Sequence, residues 1–450
     1  ASYKTYVRPL ALPWPYRIEP GEIIEQKVTL TISGDVAITN SRGPTEVALG
    51  EPAGDFPAIG LGLDPEHVRA ALGHADTLKS FGAQHLICHY DPRKGHDANT
   101  LAQQVSLARK MGAAPWLEAV VVEVEDNAAA SEIAALGAIA TVMGQPFATV
   151  LVSPAPDLKC TLPGSTWPPA PDAAKLYAAS RKAFPGARIG GGMFSFFTEL
   201  NRKRPPLDEL DLVTFTTAAV FHAGDDRSVM ETLECLPYIA LTLPDITGNL
   251  PFSVGPSAIG LRDNPYGASC KSNPENIRQA VNYNDPRQRG LLGAAWALGY
   301  VAAFAKGGAE AVAIGAPVGP FGMLSVPTDF PQHWFEGRGG LYPVWHVLRG
   351  LARHANRTLR PLAISSGSPL VGIGIEGESG TELWIANIRP TEVTARLALP
   401  VEAQMAMLDA DGFVEAAENP AFLDELVVLR DSDLKLDAFA VARIVMSDAG

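Results

Sequence analysis

From about residue 56 onward, short apolar runs alternate with helical patterns, and this alternation constrains the fold more than any other feature of the sequence. Such a rhythm indicates βα units, since parallel strands buried on both faces have continuous apolar sequences. Eight runs have the length of a strand, at 58–64, 84–91, 115–123, 148–157, 187–197, 212–222, 252–262 and 310–317. Eight βα units close a barrel, so we predict an α/β fold, a (β/α)8 TIM barrel, over 51–357. The alternative is a doubly wound sheet, but the early phosphate-binding loop usual in that fold is absent.

The flanking regions have a different period. Apolar and polar residues alternate over 22–48 and again after about residue 360, which is the pattern of half-buried antiparallel strands. We therefore predict an antiparallel β-sandwich formed by the C-terminal region, 358–450, together with N-terminal strands from 1–50. The two regions are expected to pair, because isolated hairpins are not stable alone.

Composition excludes several classes of function. The 450 residues are 47% hydrophobic and 19% charged, which is enough apolar sequence for a large core. The formal net charge of −13 argues against a nucleic-acid partner. No apolar run has the length of a membrane span, and no secretory signal is evident. The four cysteines are scattered without CxxC pairs, so we expect a cytoplasmic protein. The oligomeric state is left open.

Two successive predicted strands within 188–226 end in ionisable residues. Loops at the carboxyl ends of parallel strands form the ligand site in this architecture. We therefore predict that Glu199, His222 and Asp226 are catalytic, with the aspartate orienting the histidine. There are structural alternatives: Glu199 suits the first turn of a helix, and Asp225 or Asp226 suits a helix N-cap.

The remaining strand ends supply a second set of polar residues. Glu118 lies within an apolar strand, so it either points into the barrel lumen or pairs with a buried cation; these alternatives have equal weight. Arg262 suits an oxyanion or a substrate carboxylate. The residues predicted to bind substrate are Asp64, Asp91, Glu118, Asp157, Lys159, Arg262 and Asn264.

We predict neither a cofactor nor a bound metal. His89, Asp91 and His222 are conceivable metal ligands, but their spacing matches no known metal motif closely. No catalytic serine motif GxSxG is present. The histidines placed on helix faces or loops away from the mouth, and given no role, are His67, His74, His96, His346 and His354.

A barrel followed by a sandwich resembles the retaining glycoside hydrolases, which use one carboxylate after strand four and another after strand seven. Here those strands end in SPAPD and GLRDN, so the expected glutamates are missing. A more specific resemblance is to the D-apionate lactonase family. It is carried by the segments PYRIEPGEIIEQKVTL, GGGMFSFFTELNRKRPP, VFHAGDDRSVMETLE, GPSAIGLRDNPYG and DPRQRGLLGAAWALGYVAAFAKGG. Family members typically carry a longer N-terminal β-domain, so this chain is expected to start near that domain's end.

The resemblance implies a hydrolase that opens a small sugar lactone, similar to D-apionolactone, to its aldonate in bacterial pentose catabolism. Glu199 or His222 would then act as base and acid, and Arg262 or Lys159 would stabilise the oxyanion. Asp64, Asp91, Glu118 and Asn264 would bind the sugar hydroxyls. Two alternatives are a glycosidase-like enzyme and a carbohydrate-binding barrel without catalysis, whose mouth would carry aromatic platforms.

Overall fold

The structure, a computed structural model, describes residues 16–25, 27, 29–31, 33, 44–162, 164–364, 367–377, 380–398 and 403–447. Much of the predicted N-terminal β-region, including 1–15 and 34–43, lies outside the described residues. The first described strand is β1 (Thr45–Leu49). Among the described residues, none of the helices combines the length and apolar character needed to cross a bilayer.

Eight parallel strands close into a barrel in sequence order, so the predicted TIM barrel is confirmed. Its strands are β2 (Ala58–Leu63), β3 (His85–Tyr90), β4 (Ala114–Val121), β5 (Thr149–Pro154), β6 (Arg188–Phe196), β7 (Leu212–Thr216), β8 (Phe252–Ser257) and β9 (Ala311–Ile314). The pairing of β2 with β9 closes the cylinder, at Ala58 with Ala311. Seven of the eight predicted runs contain one of these strands, and β4 begins one residue before its run.

Helices cover the outside of the barrel. Those up to the end of the barrel are α1 (Val68–Leu72), α2 (Ala75–Lys79), α3 (Ala98–Met111), α4 (Asp126–Val142), α5 (Ala173–Ala183), α6 (Phe197–Arg202), α7 (Asp226–Glu231), α8 (Leu236–Thr242), α9 (Pro244–Thr247), α10 (Leu291–Lys306) and α11 (Pro343–Ala352). Helix α3 shows the local signals clearly: the Asp97 carboxylate caps its first turn, and Gly112 ends it in a left-handed conformation. Helix α10 is buried on nearly all sides because it lies between the barrel and the C-terminal strands.

A small ribbon and a two-sheet sandwich complete the chain. The ribbon pairs β10 (Leu324–Ser325) with β11 (Gly340–Leu341). The remaining elements are β12 (Leu359–Arg360), β13 (Leu362–Ile364), β14 (Leu370–Glu376), β15 (Gly380–Asn387), β16 (Val393–Leu397), β17 (Ala403–Leu408), α12 (Phe413–Glu418), β18 (Val427–Leu429), β19 (Asp433–Leu436) and β20 (Val441–Ser447). One sheet has the order β13-β1-β16-β19 and the other β12-β14-β15-β20-β17-β18. The N-terminal β1 therefore pairs with C-terminal strands, antiparallel to β13 and parallel to β16.

Strands β7 and β8 fall furthest short of the ends predicted from the sequence. Strand β7 ends at Thr216 rather than 222, and β8 ends at Ser257 rather than 262. The apolar residues beyond both ends are buried in loops that bond to each other. The Val281 amide donates to the Val220 carbonyl at 2.7 Å, and the Leu261 amide donates to the Asn282 carbonyl at 2.8 Å. We call residues 258–290 the β8 loop; it covers the carboxyl end of the barrel beside β7.

Candidate functional site

A cavity of about 510 Å³ opens at the carboxyl ends of the barrel strands. Its walls come from β2, β3, β4, β6, β7 and β8, from the segments after β2, β3, β5, β7 and β9, and from the β8 loop. This volume lies within the range of about 300–1,000 Å³ usual for small-molecule sites. We call it the mouth cavity, and it contains both polar and aromatic side chains.

A histidine and a glutamate face each other inside this cavity. His89 on β3 is in register with Glu118 on the neighbouring β4, so both side chains enter the lumen at the same level. The His89 Nδ1 lies 2.9 Å from the Glu118 Oε2. Because a carboxylate only accepts, the ring donates from Nδ1, and its Nε2 has no hydrogen-bond partner in the described part of the chain. The result is an oriented imidazole whose second nitrogen is free.

Arg262 completes the cluster from the β8 loop. Its Nη2 donates to the Glu118 Oε2 at 2.8 Å, and its Nη1 lies 3.4 Å from the Glu118 Oε1. Burial alone would raise the pKa of Glu118, which is 1% exposed, but the Arg262 charge and the His89 hydrogen bond hold that pKa well below its ordinary value. Glu118 is therefore an anion. It points into the lumen and is also paired with Arg262, whose side chain is half-buried, so each alternative drawn from the sequence describes part of its environment.

A second histidine lies at the mouth, contrary to the sequence analysis. His96 lines the cavity, and its ring meets that of His89 edge-on, with centroids 5.6 Å apart. It reaches this position through the loop after β3, where Gly95 has a φ of 76°, a left-handed turn that favours glycine. The sequence signal was its position seven residues after His89, within a loop at the active end of the barrel.

Asp91, predicted to bind substrate, instead organises that loop. Its fully buried carboxylate accepts from the Arg93 Nε at 2.9 Å and from the Arg93 Nη2 at 2.7 Å. Its backbone amide donates to the His96 Nδ1 at 3.0 Å. Asp91 does not line the mouth cavity. Its contacts hold the loop that carries His96.

Asp64 does line the cavity, as predicted, together with a tyrosine that the sequence analysis missed. The Tyr283 hydroxyl donates to the Asp64 Oδ2 at 2.7 Å. Burial works to raise the pKa of Asp64, but the bond from Tyr283 and the nearby His67 outweigh it and lower that pKa. Tyr283 reaches the mouth on the long β8 loop, so no strand-end pattern marks it in the sequence.

Lys159 and Asn264, predicted to contact substrate, hold the β8 loop in place. The Lys159 Nζ donates to the carbonyls of Asn264 at 2.7 Å and Gly267 at 3.1 Å, and lies 3.4 Å from an oxygen of Asp263. The Asn264 side chain donates to the Ser269 carbonyl at 2.9 Å. Neither Lys159 nor Asn264 lines the mouth cavity, whereas Asp263 does.

Asp157 is likewise engaged elsewhere. Both of its oxygens accept from the Lys203 Nζ, at 2.6 and 2.8 Å. Burial raises the pKa of Asp157, and the Lys203 charge offsets that effect only in part. Asp157 does not line the mouth cavity.

The predicted catalytic trio is not assembled. Glu199 is buried in α6, where it accepts from Arg202 at 2.9 Å and from the Tyr266 hydroxyl at 2.7 Å, outside the mouth cavity. His222 is exposed on the loop after β7 and lines a separate cavity of about 690 Å³. The reason for the error is the shorter β7, which ends six residues before His222 and leaves that histidine on a loop.

Asp226 does not orient His222 either. Its carboxylate pairs with Arg278 at 2.5 Å and with Arg287 at 3.4 Å, both on the β8 loop. Asp225, not Asp226, caps α7 by accepting from the Ser228 amide at 2.9 Å. Within the described residues, no hydrogen bond joins His222 to Glu199 or Asp226. Asp226 therefore ties the loop after β7 to the β8 loop.

No group of three or more His, Cys, Asp or Glu side chains among the described residues is arranged to hold a metal ion. The set allowed by the sequence does not come together, since Asp91 is engaged by Arg93 and His222 lines the other cavity.

Comparison with known proteins places this geometry in a family. The model of the D-apionate lactonase TIM barrel domain matches residues 59–356, and those of the family's C-terminal immunoglobulin-like and N-terminal domains match 368–444 and 1–35. A D-apionate lactonase from Brucella anthropi is 38% identical over 408 residues, which cover 88% of this chain. The chain spans 64% of the length of that relative.

Solved glycoside hydrolases share the fold. An α-L-arabinofuranosidase of family GH51 from Thermotoga petrophila superposes with a TM-score of 0.56 at 10% identity, over 90% of this chain and 100% of that one. The glucanase-xylanase CelM2 from a metagenome library gives 0.57 at 10% identity, over 90% and 99%. At such identities the likeness shows the architecture alone. The N-terminal, barrel and C-terminal domain models match in that order along the chain and together cover well over half of it. They show that this chain belongs to the D-apionate lactonase family.

Proposed function

We propose that this protein is a hydrolase that opens a small sugar lactone, similar to D-apionolactone, to its aldonate in bacterial pentose catabolism. The family and the name of the Brucella anthropi relative support this class of reaction. The observation that carries the proposal is the His89 imidazole, which Glu118 orients from Nδ1 while Nε2 is free at the mouth cavity. Lactone hydrolysis needs such a base to activate water.

The proposed reaction begins with attack by water on the lactone carbonyl. His89 Nε2 takes a proton from the water as its oxygen bonds to the carbonyl carbon. Glu118 stabilises the imidazolium that forms and fixes the ring tautomer, as an aspartate does for the histidine of serine hydrolases. When the tetrahedral intermediate collapses, the bond to the ring oxygen breaks and His89 returns the proton to that oxygen. The net reaction adds one water across the ester bond.

Other residues of the mouth fit a small polyhydroxylated substrate. Asp64 and Asp263 present carboxylates, and Ser195 presents a hydroxyl, all able to bind sugar hydroxyls. Arg262 and Lys94 place positive charge beside His89, which favours the negative oxygen of the intermediate. Glu118, predicted from the sequence to bind sugar, acts in this proposal as a positioning residue.

Lactone hydrolysis fits the mouth better than cleavage of a glycosidic bond. A glycosidase of this fold needs carboxylates after the fourth and seventh barrel strands. Those strands end here at Pro154 and Ser257. Asp263, in the loop after the seventh strand, lines the cavity, but Asp157, the carboxylate that follows the fourth strand, is bound by Lys203 outside it, so the pair is incomplete.

The test is a pH-indicator assay on pentono-1,4-lactones and on aryl glycosides, with His89→Asn and His74→Asn compared with the wild type. His74 is exposed before α2, so its substitution controls for loss of a histidine. We expect lactone turnover to fall about 10²-fold or more in His89→Asn, the usual contribution of a general base, and to stay within about twofold in His74→Asn. Near-normal lactone turnover by His89→Asn would refute the mechanism. Turnover of glycosides but not lactones by the wild type would refute the activity.

A further inference from the structure

We propose that His96 is a catalytic residue that donates a hydrogen bond from Nε2 to the lactone carbonyl oxygen while its ring is neutral. This inference rests on the proposed lactonase activity. The sequence analysis gave His96 no role. The proposed role accounts for the hydrogen bonds that join Asp91, which is buried outside the cavity, to Arg93 and His96.

The hydrogen bond from the backbone sets the tautomer of His96. The Asp91 amide donates to the His96 Nδ1 at 3.0 Å, so this nitrogen carries a lone pair. A neutral imidazole has one proton, which must then lie on Nε2. His96 thus presents an N–H donor from its other edge, and the ring lines the mouth cavity.

The surroundings keep this ring neutral. Protonation would place a second N–H at Nδ1, facing the Asp91 amide, and two donors cannot bond to each other. Burial, His89 and Lys94 lower the pKa of His96, while Asp91 and Asp64 oppose them. A neutral histidine is a stable donor across the physiological range, unlike an imidazolium that would lose its proton near pH 6.5.

The two histidines are therefore complementary. His89 donates from Nδ1 to Glu118 and leaves an acceptor at Nε2, whereas His96 accepts at Nδ1 and leaves a donor at Nε2. Their rings are nearly perpendicular, at 81°, with centroids 5.6 Å apart. Addition of water to a carbonyl requires an acceptor for the water proton and a donor for the oxygen that becomes negative. The pair supplies one of each on adjacent rings.

The loop after β3 gives the donor a fixed direction. Arg93 binds both oxygens of Asp91, and the Arg93 amide also donates to the Asp91 Oδ1 at 3.0 Å. The peptide that holds His96 is thereby locked before substrate arrives. A preorganised donor stabilises the transition state without any cost of reorientation during the reaction.

The variants His96→Phe and His96→Gln test the inference. Phenylalanine keeps a ring but removes the donor, and glutamine restores an N–H donor on a chain of similar reach. We expect kcat to fall about 10²-fold in His96→Phe with KM nearly unchanged, the typical loss for one oxyanion donor, and to recover in part in His96→Gln. Melting temperatures of both full-length variants establish that they fold. A purely structural role would change the melting temperature and KM along with kcat, without rescue by glutamine.

A second measurement is independent of activity. The ¹⁵N NMR spectrum of histidine-labelled protein reports which ring nitrogen carries the proton; we expect Nε2–H for His96 and Nδ1–H for His89 at pH 7. An Nδ1–H or doubly protonated His96 would overturn the inference. So would full kcat in His96→Phe when His89→Asn is inactive, and the proposed function would then still stand. Full lactone turnover in His89→Asn overturns the proposed mechanism instead, and a wild type that does not turn over lactones overturns the proposed function.

Discussion

The molecule contains two clusters of the same three residue types, and they differ in what they face. Both join a histidine and an arginine to one glutamate. The mouth cluster consists of His89, Glu118 and Arg262, and the interface cluster consists of His354, Glu382 and Arg443. The first lines a cavity at the barrel mouth, and the second lies between the end of α11 and the sandwich strands β15 and β20.

In the interface cluster, the arginine and the glutamate bond to other groups of the protein. Arg443 donates two hydrogen bonds to Glu382, from Nε at 3.0 Å and from Nη2 at 2.7 Å. It also donates to the Leu423 carbonyl at 3.0 Å. The His354 Nε2 lies 3.1 Å from the Glu382 Oε2. This cluster joins the barrel to the sandwich, and it lines neither of the two cavities described above.

In the mouth cluster, one group is left for a ligand. His89 contacts its glutamate through Nδ1 and keeps Nε2 free, while His354 turns Nε2 toward its glutamate. The Arg262 side chain is 27% exposed and that of Arg443 is 10% exposed. Under the proposed function, the same residue types serve chemistry in the mouth cluster and cohesion in the interface cluster. The deciding feature is whether the cluster borders a cavity.

The largest expected effect comes from Glu118→Gln in the mouth cluster. An amide cannot stabilise the His89 imidazolium and can hold the ring in the wrong tautomer. We expect kcat for a pentono-1,4-lactone to fall about 10²-fold or more, since the equivalent change in a serine protease triad lowers kcat about 10⁴-fold. Steady-state kinetics on full-length protein measures it. Wild-type kcat in this variant would mean that the two clusters do not differ in role.

The matched change in the interface cluster, Glu382→Gln, should affect stability and spare activity. Removing the charge leaves Arg443 and His354 without their partner between two packed domains. We expect a loss of about 3 kcal/mol, the usual result of breaking a buried ion pair, seen as a lower melting temperature. The kcat/KM ratio, measured well below that temperature, should stay within about twofold. An unchanged melting temperature would contradict the structural role.

The pH dependence of this loss provides the control. Burial tends to raise the pKa of Glu382, but His354 and Arg443 outweigh it and lower that pKa from 4.5 to about 2. A carboxylate with a depressed pKa stabilises the fold above its unfolded value and loses that contribution as pH falls. The gap in melting temperature between wild type and Glu382→Gln should thus be full above pH 4.5 and shrink toward pH 2. If the difference in melting temperature between wild type and Glu382→Gln widened in acid, the lost stability would come from another titrating group.

The barrel could be predicted from sequence because burial leaves a strong signal in parallel strands. Strand β3 was predicted over 84–91 and spans His85–Tyr90, and β9 was predicted over 310–317 and spans Ala311–Ile314. Apolar sequence reports burial rather than hydrogen bonding, however. Val220 and Leu261 are as buried as strand residues, yet both lie in loops, so the predicted β7 and β8 were too long.

The site was less predictable because several of its members come from loops, and the course of each loop depends on its contacts with other loops. Glu118 and Arg262 were identified, yet Glu118 pairs with His89 on the neighbouring strand and with Arg262, which is 144 positions away in sequence. Tyr283 carries no local mark that separates it from structural residues, and the only signal for His96 is its place in the loop after β3. Their positions follow from Gly95 and from the hydrogen bonds of the β8 loop, which no periodicity encodes.

The smallest expected effect is that of His222→Ala, which the sequence analysis placed at the centre of the chemistry. His222 is exposed, packs edge-on against Phe221 with centroids 4.9 Å apart, and lines the second cavity rather than the mouth. An exposed residue with no ion pair should change stability by no more than about 0.5 kcal/mol. We expect kcat/KM on a pentono-1,4-lactone to stay within about twofold, measured beside His89→Asn. A tenfold loss would show that the second cavity takes part in catalysis. A histidine with an unbonded ring nitrogen at the mouth cavity would then not be enough to identify the catalytic cluster.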